Sequence, residues 1–361
     1  MNHPDNKQNQ TILPVWLRVL LGLAAFVIIV AGMKASAAIL VPFLLALFLA
    51  IIAAPVLYFL QTKGIPPIAA MSIVTLLILA VGTVLVTILA QTLPNLAQSL
   101  PEYETHLQQL MQSLQAKLQE RNIPVDNLSI ERYLNPGTAV EILGGLVSQT
   151  TSILANSFLI FLTTVFILLE ASLFHNKLRT AFSGNTASIE KLNKITAQVQ
   201  QYMGIKTFTS LLTGVLCAIL FLACGVQYAI LWGLLTFVLN FVPSIGAFLA
   251  AVPPILLALM QQGFRTAVVV AVGCVIINVI LGNFLEPRMM GQKLGLSTLV
   301  VFLSLVFWGW VLGPVGMLLS VPLTMAVKIV LQSNDDTRWV AILLGSGPAA
   351  SPREKTKLEK K

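Results

Sequence analysis

Few residues in this 361-residue chain could act on a polar ligand, and several of them sit deep in apolar surroundings. The stretch LNFVPSIGAFLAAVPP, residues 239–254, sets Asn240, Ser244 and Gly246 around Pro243 inside a strongly apolar run. Farther on, GNFLEPRMMGQKLGL, residues 282–296, sets Asn283 and Glu286 three apart, on one face of a helix, just before Pro287. A carboxylate near the membrane is a candidate for cation or proton binding. Only Glu170 and Glu286 border the apolar runs between 150 and 331, and no aspartate lies between Asp126 and Asp335. These two are the candidate coupling carboxylates. The plainer alternatives are a local pair of Glu286 with Arg288 or Lys293, and an interfacial Glu170 near Lys177. Asn240, Ser244, Asn278 and Asn283 offer hydrogen-bonding groups to a polar ligand.

Proline in a helix interior removes a hydrogen bond and clashes with the preceding turn. In lipid no water replaces the lost bond. Irregular backbone is therefore tolerated at membrane depth where it is buried in protein or lines a cavity. Half-helix ends there offer unpaired N–H and C=O groups to a solute or ion. NFVPSIG reads as a turn at or near membrane depth, with Asn240 placed to bond the carbonyls freed by Pro243. On the sharper reading Asn240, Pro243, Ser244 and Gly246 line a substrate pathway. A second break, LGPVG, brings Gly313, Pro314 and Gly316 into the same candidate set.

Other chemistries lack their residues. There is no GxxxxGK[ST], HExxH or GxSxG, so an enzyme is not expected. His3, His106 and His175 are far apart, and Cys217, Cys224 and Cys274 form no CxxC pair; neither a metal site nor a cofactor is expected. The net charge of +8 is scattered between apolar runs and gathered at the C-terminus. That is unlike the basic face of a nucleic-acid binder, and no nucleic-acid partner is expected.

The elements that must position these residues are helices in a bilayer. The chain is 57% hydrophobic and 10% charged, against about 25% charged in a soluble domain. Apolar runs fall at 15–33, 36–60, 67–93, 150–174, 205–225, 227–242, 245–261, 266–285, 297–312 and 314–331. A spanning helix needs about 20 residues. Four runs are short and form two pairs, 227–262 and 296–331, each joined at one of the proline–glycine breaks. The expected fold is an all-α polytopic membrane protein with about six spanning helices, two candidate re-entrant hairpins and a small extracytoplasmic helical region.

The expected organisation is a cytoplasmic leader, 1–14, then spanning helices in 15–93 and an extracytoplasmic helical region, 94–149. A membrane domain, 150–331, follows with a cytoplasmic loop, 175–204, and then a cytoplasmic tail, 332–361, partly disordered. Ala35-Ser36-Ala37 resembles a signal-peptidase site. The run before it, however, is longer than a secretory core and another apolar run follows at once, so it reads as an uncleaved spanning helix. Lys177, Arg179, Lys191, Lys194 and Lys206 face one acid, Glu190, in 175–206, whereas 94–149 has three basic and six acidic residues. Positive charge marks the cytoplasmic side, which puts both termini there; Lys34 alone runs against the rule. Leu93, Leu96, Leu100, Tyr103, Leu107, Leu110, Leu114 and Leu118 form a seam close to a heptad repeat. It would pack on the membrane domain or join protomers of a homo-oligomer.

LNFVPSIGAFLAAVPP, GNFLEPRMMGQKLGLSTLVVFLSLVFWGWVLGPVGMLLSVPLTMAVKIVL and VPFLLALFLAIIAAPV together resemble the autoinducer-2 exporter (AI-2E) family of bacterial membrane proteins. The resemblance covers roughly residues 10–332 and is most specific over 227–331. It implies a secondary transporter of the inner membrane, multi-pass, that exports autoinducer-2, a small polar quorum-sensing signal. It also implies an alternative, since sodium–proton antiport is assigned to some members. A non-transporting membrane scaffold is the third possibility. The partners implied are the lipid bilayer and a small polar solute or a monovalent cation.

Overall fold

A computed structural model describes residues 14–120, 156–181, 186–243, 245–290, 296–333 and 337–345. Among them the chain is helical throughout, without strands. Helices α1 (Val15–Ala35), α2 (Ala37–Thr62) and α3 (Pro67–Glu120) are followed by α4 (Ser157–Ala181), α5 (Thr186–Ala223), α6 (Ala229–Leu239) and α7 (Gly246–Gln262). Then come α8 (Phe264–Asn278), a π-helical segment (Val279–Leu285), α9 (Glu286–Met290), α10 (Thr298–Ser333) and α11 (Arg338–Leu343).

Among the described residues four straight helical stretches are long and apolar enough to cross a membrane, Ala37–Thr62, Pro67–Leu96, Ala197–Ala223 and Phe264–Met290, and a fifth apolar stretch of that length, Thr298–Gln332, folds at Gly313. Large apolar side chains point outward along them, such as Ile68, Leu76, Val275 and Leu299. A soluble fold buries such a band, whereas lipid accepts it. The protein is an all-α, multi-pass membrane protein.

The first short pair is a helical hairpin. At its root Gln262 Nε2 donates to the Gly225 carbonyl at 2.7 Å, and the Gln227 N–H donates to Gln261 Oε1 at 3.2 Å. Its arms, α6 and α7, have 11 and 17 residues, or about 17 and 26 Å at 1.5 Å per residue. Both fall short of the roughly 30 Å hydrocarbon core. The second pair is also a hairpin, although the backbone stays helical on either side of one residue. Gly313 has φ 69°, a left-handed conformation open to glycine. The Trp308 indole N–H donates to Thr324 Oγ1 at 3.0 Å. Those residues would lie about 24 Å apart in a straight helix.

Proline breaks the backbone at two places only among the described residues of these hairpins. Pro243 lies in the first tip, and Pro314 opens the return arm of the second. Pro253, Pro254 and Pro322 lie inside helices, where neighbouring helices can satisfy the freed backbone groups.

Helix α5 stands at the centre. With α6, α7 and α8 it forms one apolar cluster around Phe221, Trp232, Leu257 and Val270. A second cluster joins α5 (Met203), α2 (Phe48), the first hairpin's tip (Phe241) and the return arm of the second hairpin (Leu319, Val321). The turn of the second hairpin packs on α1 and α2 through Trp308, Val311 and Leu312, and Lys34 sits over the Trp310 ring at 4.0 Å.

In two expected regions the helices run on. Within 175–204, expected as a cytoplasmic connection, α4 runs to Ala181 and α5 starts at Thr186; 182–185 lie outside the described residues. The extracytoplasmic region, expected to begin at 94, continues the spanning helix without a break to Glu120. Of the leucine seam, Leu96 is buried; the other side chains of the seam lie outside what the structure describes, as do residues 121–149.

Candidate functional site

The site is built on a polar row of α5. Tyr202, Lys206 and Ser210 recur at steps of four, so they stack along one face. Lys206 is only 6% exposed, on a helix long and apolar enough to span. A lone ammonium there would be costly. It is paired instead: Lys206 Nζ donates to both Glu286 oxygens, each at 2.9 Å. Lys206 was expected among the cytoplasmic loop charges, and Glu286 was read as a candidate coupling carboxylate, with a local pair to Arg288 or Lys293 as the plainer alternative. The structure joins the two across 80 residues.

The backbone around Glu286 explains how the carboxylate reaches Lys206. Proline disfavours the helical conformation in the residue before it, which here is Glu286. The chain stays helical because the strain is taken up upstream, in the π turn Val279–Leu285. There the Glu286 N–H bonds the Leu281 carbonyl, five residues back. Pro287 follows directly on that register change, in the first turn of α9, and has no N–H to donate to the π segment's carbonyls. Such π segments are rare and recur at functional sites.

One turn above Lys206, the first hairpin's tip is pinned to the same helix. Asn240 Nδ2 donates to the buried Ser210 Oγ at 3.0 Å. Asn240 was expected to bond carbonyls freed by Pro243. That need is met by the backbone: the Val242 N–H takes the Leu239 carbonyl at 2.9 Å, and the Phe241 N–H takes the Val238 carbonyl at 3.2 Å. These tighter bonds close the last turn of α6, and the Asn240 amide is left for Ser210. Gly246 closes the tip: a Cβ there would collide with the Leu239 carbonyl.

These parts enclose a cavity of about 740 Å³, within the usual range for a small-molecule site. Tyr202 and Lys206 of α5 form one wall, and Asn240 and Pro243 of the tip another. Asn278, Asn283 and Glu286 line the side formed by α8 and the π segment. Leu296, Thr298, Val301 and Val321 of the second hairpin close the remaining side. The charges in it cancel. The other polar groups offer both donors and acceptors: one N–H of the Asn240 amide goes to Ser210 and one of Asn278 to the Cys274 carbonyl at 2.9 Å, and each amide carries a second N–H and an acceptor oxygen.

Five sequence-predicted residues, Asn240, Pro243, Asn278, Asn283 and Glu286, thus meet at one cavity. Gly246 lies behind the tip, and Gly313, Pro314 and Gly316 form the turn of the second hairpin; none of these four is among the lining residues. Gly316 packs against the Trp308 carbonyl, where a Cβ would not fit. Glu170 lies on α4, exposed and away from the cavity. Ser244 lies outside the described residues. Sequence reading passed over Tyr202, Lys206 and Ser210. Their four-residue spacing within an apolar helix was the available signal.

A family model described as "AI-2E family transporter" matches residues 23–334. A Haemophilus influenzae protein provisionally named a transport protein is 43% identical over 334 residues, covering 91% of this chain and 96% of its own. The AI-2 transport protein TqsA of Escherichia coli K12 is 39% identical over 328 residues, covering 91% and 95%. YhhT of the same organism, again provisionally named a transport protein, is 38% identical over 331 residues, covering 92% and 95%.

Proposed function

The chain belongs to the AI-2E family of transporters, and from that premise we propose that it is a secondary transporter of the inner membrane that exports a small polar solute, autoinducer-2 foremost. The observation that carries the reading is the cavity itself. A broken helix tip, a π segment and a mutually neutralised Lys206–Glu286 pair surround it. Amide and hydroxyl groups that both donate and accept, around an ion pair with no net charge, suit a neutral solute bearing hydroxyls. The similarity to TqsA along nearly its whole length, together with that protein's name, supports autoinducer-2 as the solute.

The two hairpins enter from opposite faces in this reading. The first opens outward, because α5 leaves the cytoplasm before it; the second opens inward. The first is re-entrant in this reading, since α6, with 11 residues, is too short to cross the core. Both termini are cytoplasmic by the distribution of Lys and Arg. The cavity, reaching down to Leu296 and Thr298 at the second hairpin's root, then opens toward the cytoplasm, the side from which an exporter loads. Alternating access would move the first tip and the π segment against α5.

Sodium–proton antiport requires a carboxylate free to exchange its cation. Here the Lys206 ammonium already holds the place a sodium ion would take at Glu286. The deciding experiment is flux into proteoliposomes holding this protein alone, with autoinducer-2 and sodium–proton exchange measured side by side. Movement of neither solute would leave a non-transporting scaffold.

A further inference from the structure

Helix α11 begins soon after the return arm of α10 ends at Ser333, and its ends are tied to both roots of the second hairpin. Thr337 Oγ1 donates to the Leu331 carbonyl at 2.8 Å, at the end of the return arm. The Ser297 N–H donates to the Leu344 carbonyl at 3.2 Å, just before the outgoing arm starts at Thr298. A short helix that joins the two roots runs across the hairpin's base and not along its arms. With those apolar arms upright in a bilayer, α11 would lie in the plane of the membrane surface.

Its two faces differ. Ala341 is fully buried, and Leu344 packs against the cluster holding Met290 and Leu296. On the other face Trp339, Ile342 and Leu343 are 63%, 60% and 68% exposed. Their spacing of three and four makes one apolar stripe. It continues the outward apolar face of the return arm, where Val327 and Val330 are exposed. Tryptophan favours the depth at which headgroups meet acyl chains. Exposed Arg338 flanks the stripe, and the sequence beyond carries Arg353, Lys355, Lys357, Lys360 and Lys361, a complement to anionic headgroups.

We propose that α11 is an in-plane anchor whose Trp339–Ile342–Leu343 face inserts at the headgroup–acyl boundary of anionic phospholipid, with Arg338 at the headgroups. Because Ser297 lies between cavity-lining Leu296 and Thr298, the anchor ties the cavity's floor to the membrane surface. The proposal is independent of which solute is carried.

The test is spin labelling of the full chain in lipid nanodiscs, with Cys217, Cys224 and Cys274 replaced by serine. Labels are placed singly at exposed positions 338, 342 and 343, so folding is preserved. In discs containing phosphatidylglycerol, labels at 342 and 343 are expected roughly 5–10 Å into the boundary region. There oxygen reaches them several-fold better than a water-soluble nickel chelate, whereas 338 shows the reverse. A nickel-accessible label at 342 overturns the anchor. So does a label shielded from both reagents with a short dipolar distance to a second copy, which would make the stripe a protein interface. Equal immersion in pure phosphatidylcholine overturns the assignment to anionic lipid.

Discussion

At the scale of single residues, the account rests on Lys206 and Glu286. Breaking a buried pair by removing one partner costs about 3–5 kcal/mol, because a charge is left uncompensated. Glu286 keeps 17% of its side chain exposed, so Lys206→Met is expected near the lower end, about 3 kcal/mol of stability. Lys206→Met combined with Glu286→Leu removes both charges and should be milder than the sum of the single changes. Unfolding of the four proteins in detergent measures this coupling; strictly additive losses would mean that the pair does not form. Gly246→Ala should weaken the fold of the first tip, since the new Cβ falls on the Leu239 carbonyl. A thermal midpoint unchanged from wild type would show that the tip closes differently. Glu286 and Asn240 were legible from the sequence because polar residues stand out in apolar runs. Lys206 was not, because a lysine near the edge of an apolar run looks like a topology signal until its distant partner is known.

At the scale of elements, the two proline–glycine breaks were readable, and both turned out to join hairpin arms. The π segment was not, because it is defined by hydrogen-bond register and VILGNFL composes as well into an α-helix. The helical character of 175–204 was only partly legible, its charges suggesting a loop. The second hairpin gives a sharp prediction. Cysteines replacing Trp308 and Thr324, in a background without the native cysteines, should cross-link with a short reagent, because the native side chains are hydrogen-bonded at 3.0 Å. An unbroken helix would hold them about 24 Å apart, and failure to cross-link in folded protein would favour it.

At the scale of the whole molecule, composition alone was enough for a multi-pass helical membrane protein. Side-chain packing was needed to show that α5 holds both the first tip and the end of the π segment, through Ser210 and Lys206 one turn apart. That shared post is why a cavity forms where three distant segments meet. The proposed orientation has its own check. A cysteine at Gln115, on the long extension of α3, should react with a membrane-impermeant thiol reagent added outside intact cells. Labelling from the cytoplasmic side alone would invert the topology and with it the direction in which the cavity opens.

The most direct test of the central claim is flux in proteoliposomes of wild-type protein and the Glu286→Gln variant. Autoinducer-2 uptake and sodium–proton exchange are followed in parallel across imposed pH gradients. The account predicts saturable autoinducer-2 movement by the wild type without sodium–proton exchange. In Glu286→Gln that movement should fall, because buried Lys206 loses its counter-charge, and no sodium–proton exchange should appear in its place. Sodium–proton exchange by the wild type that Glu286→Gln abolishes, with no autoinducer-2 movement by either protein, would contradict it.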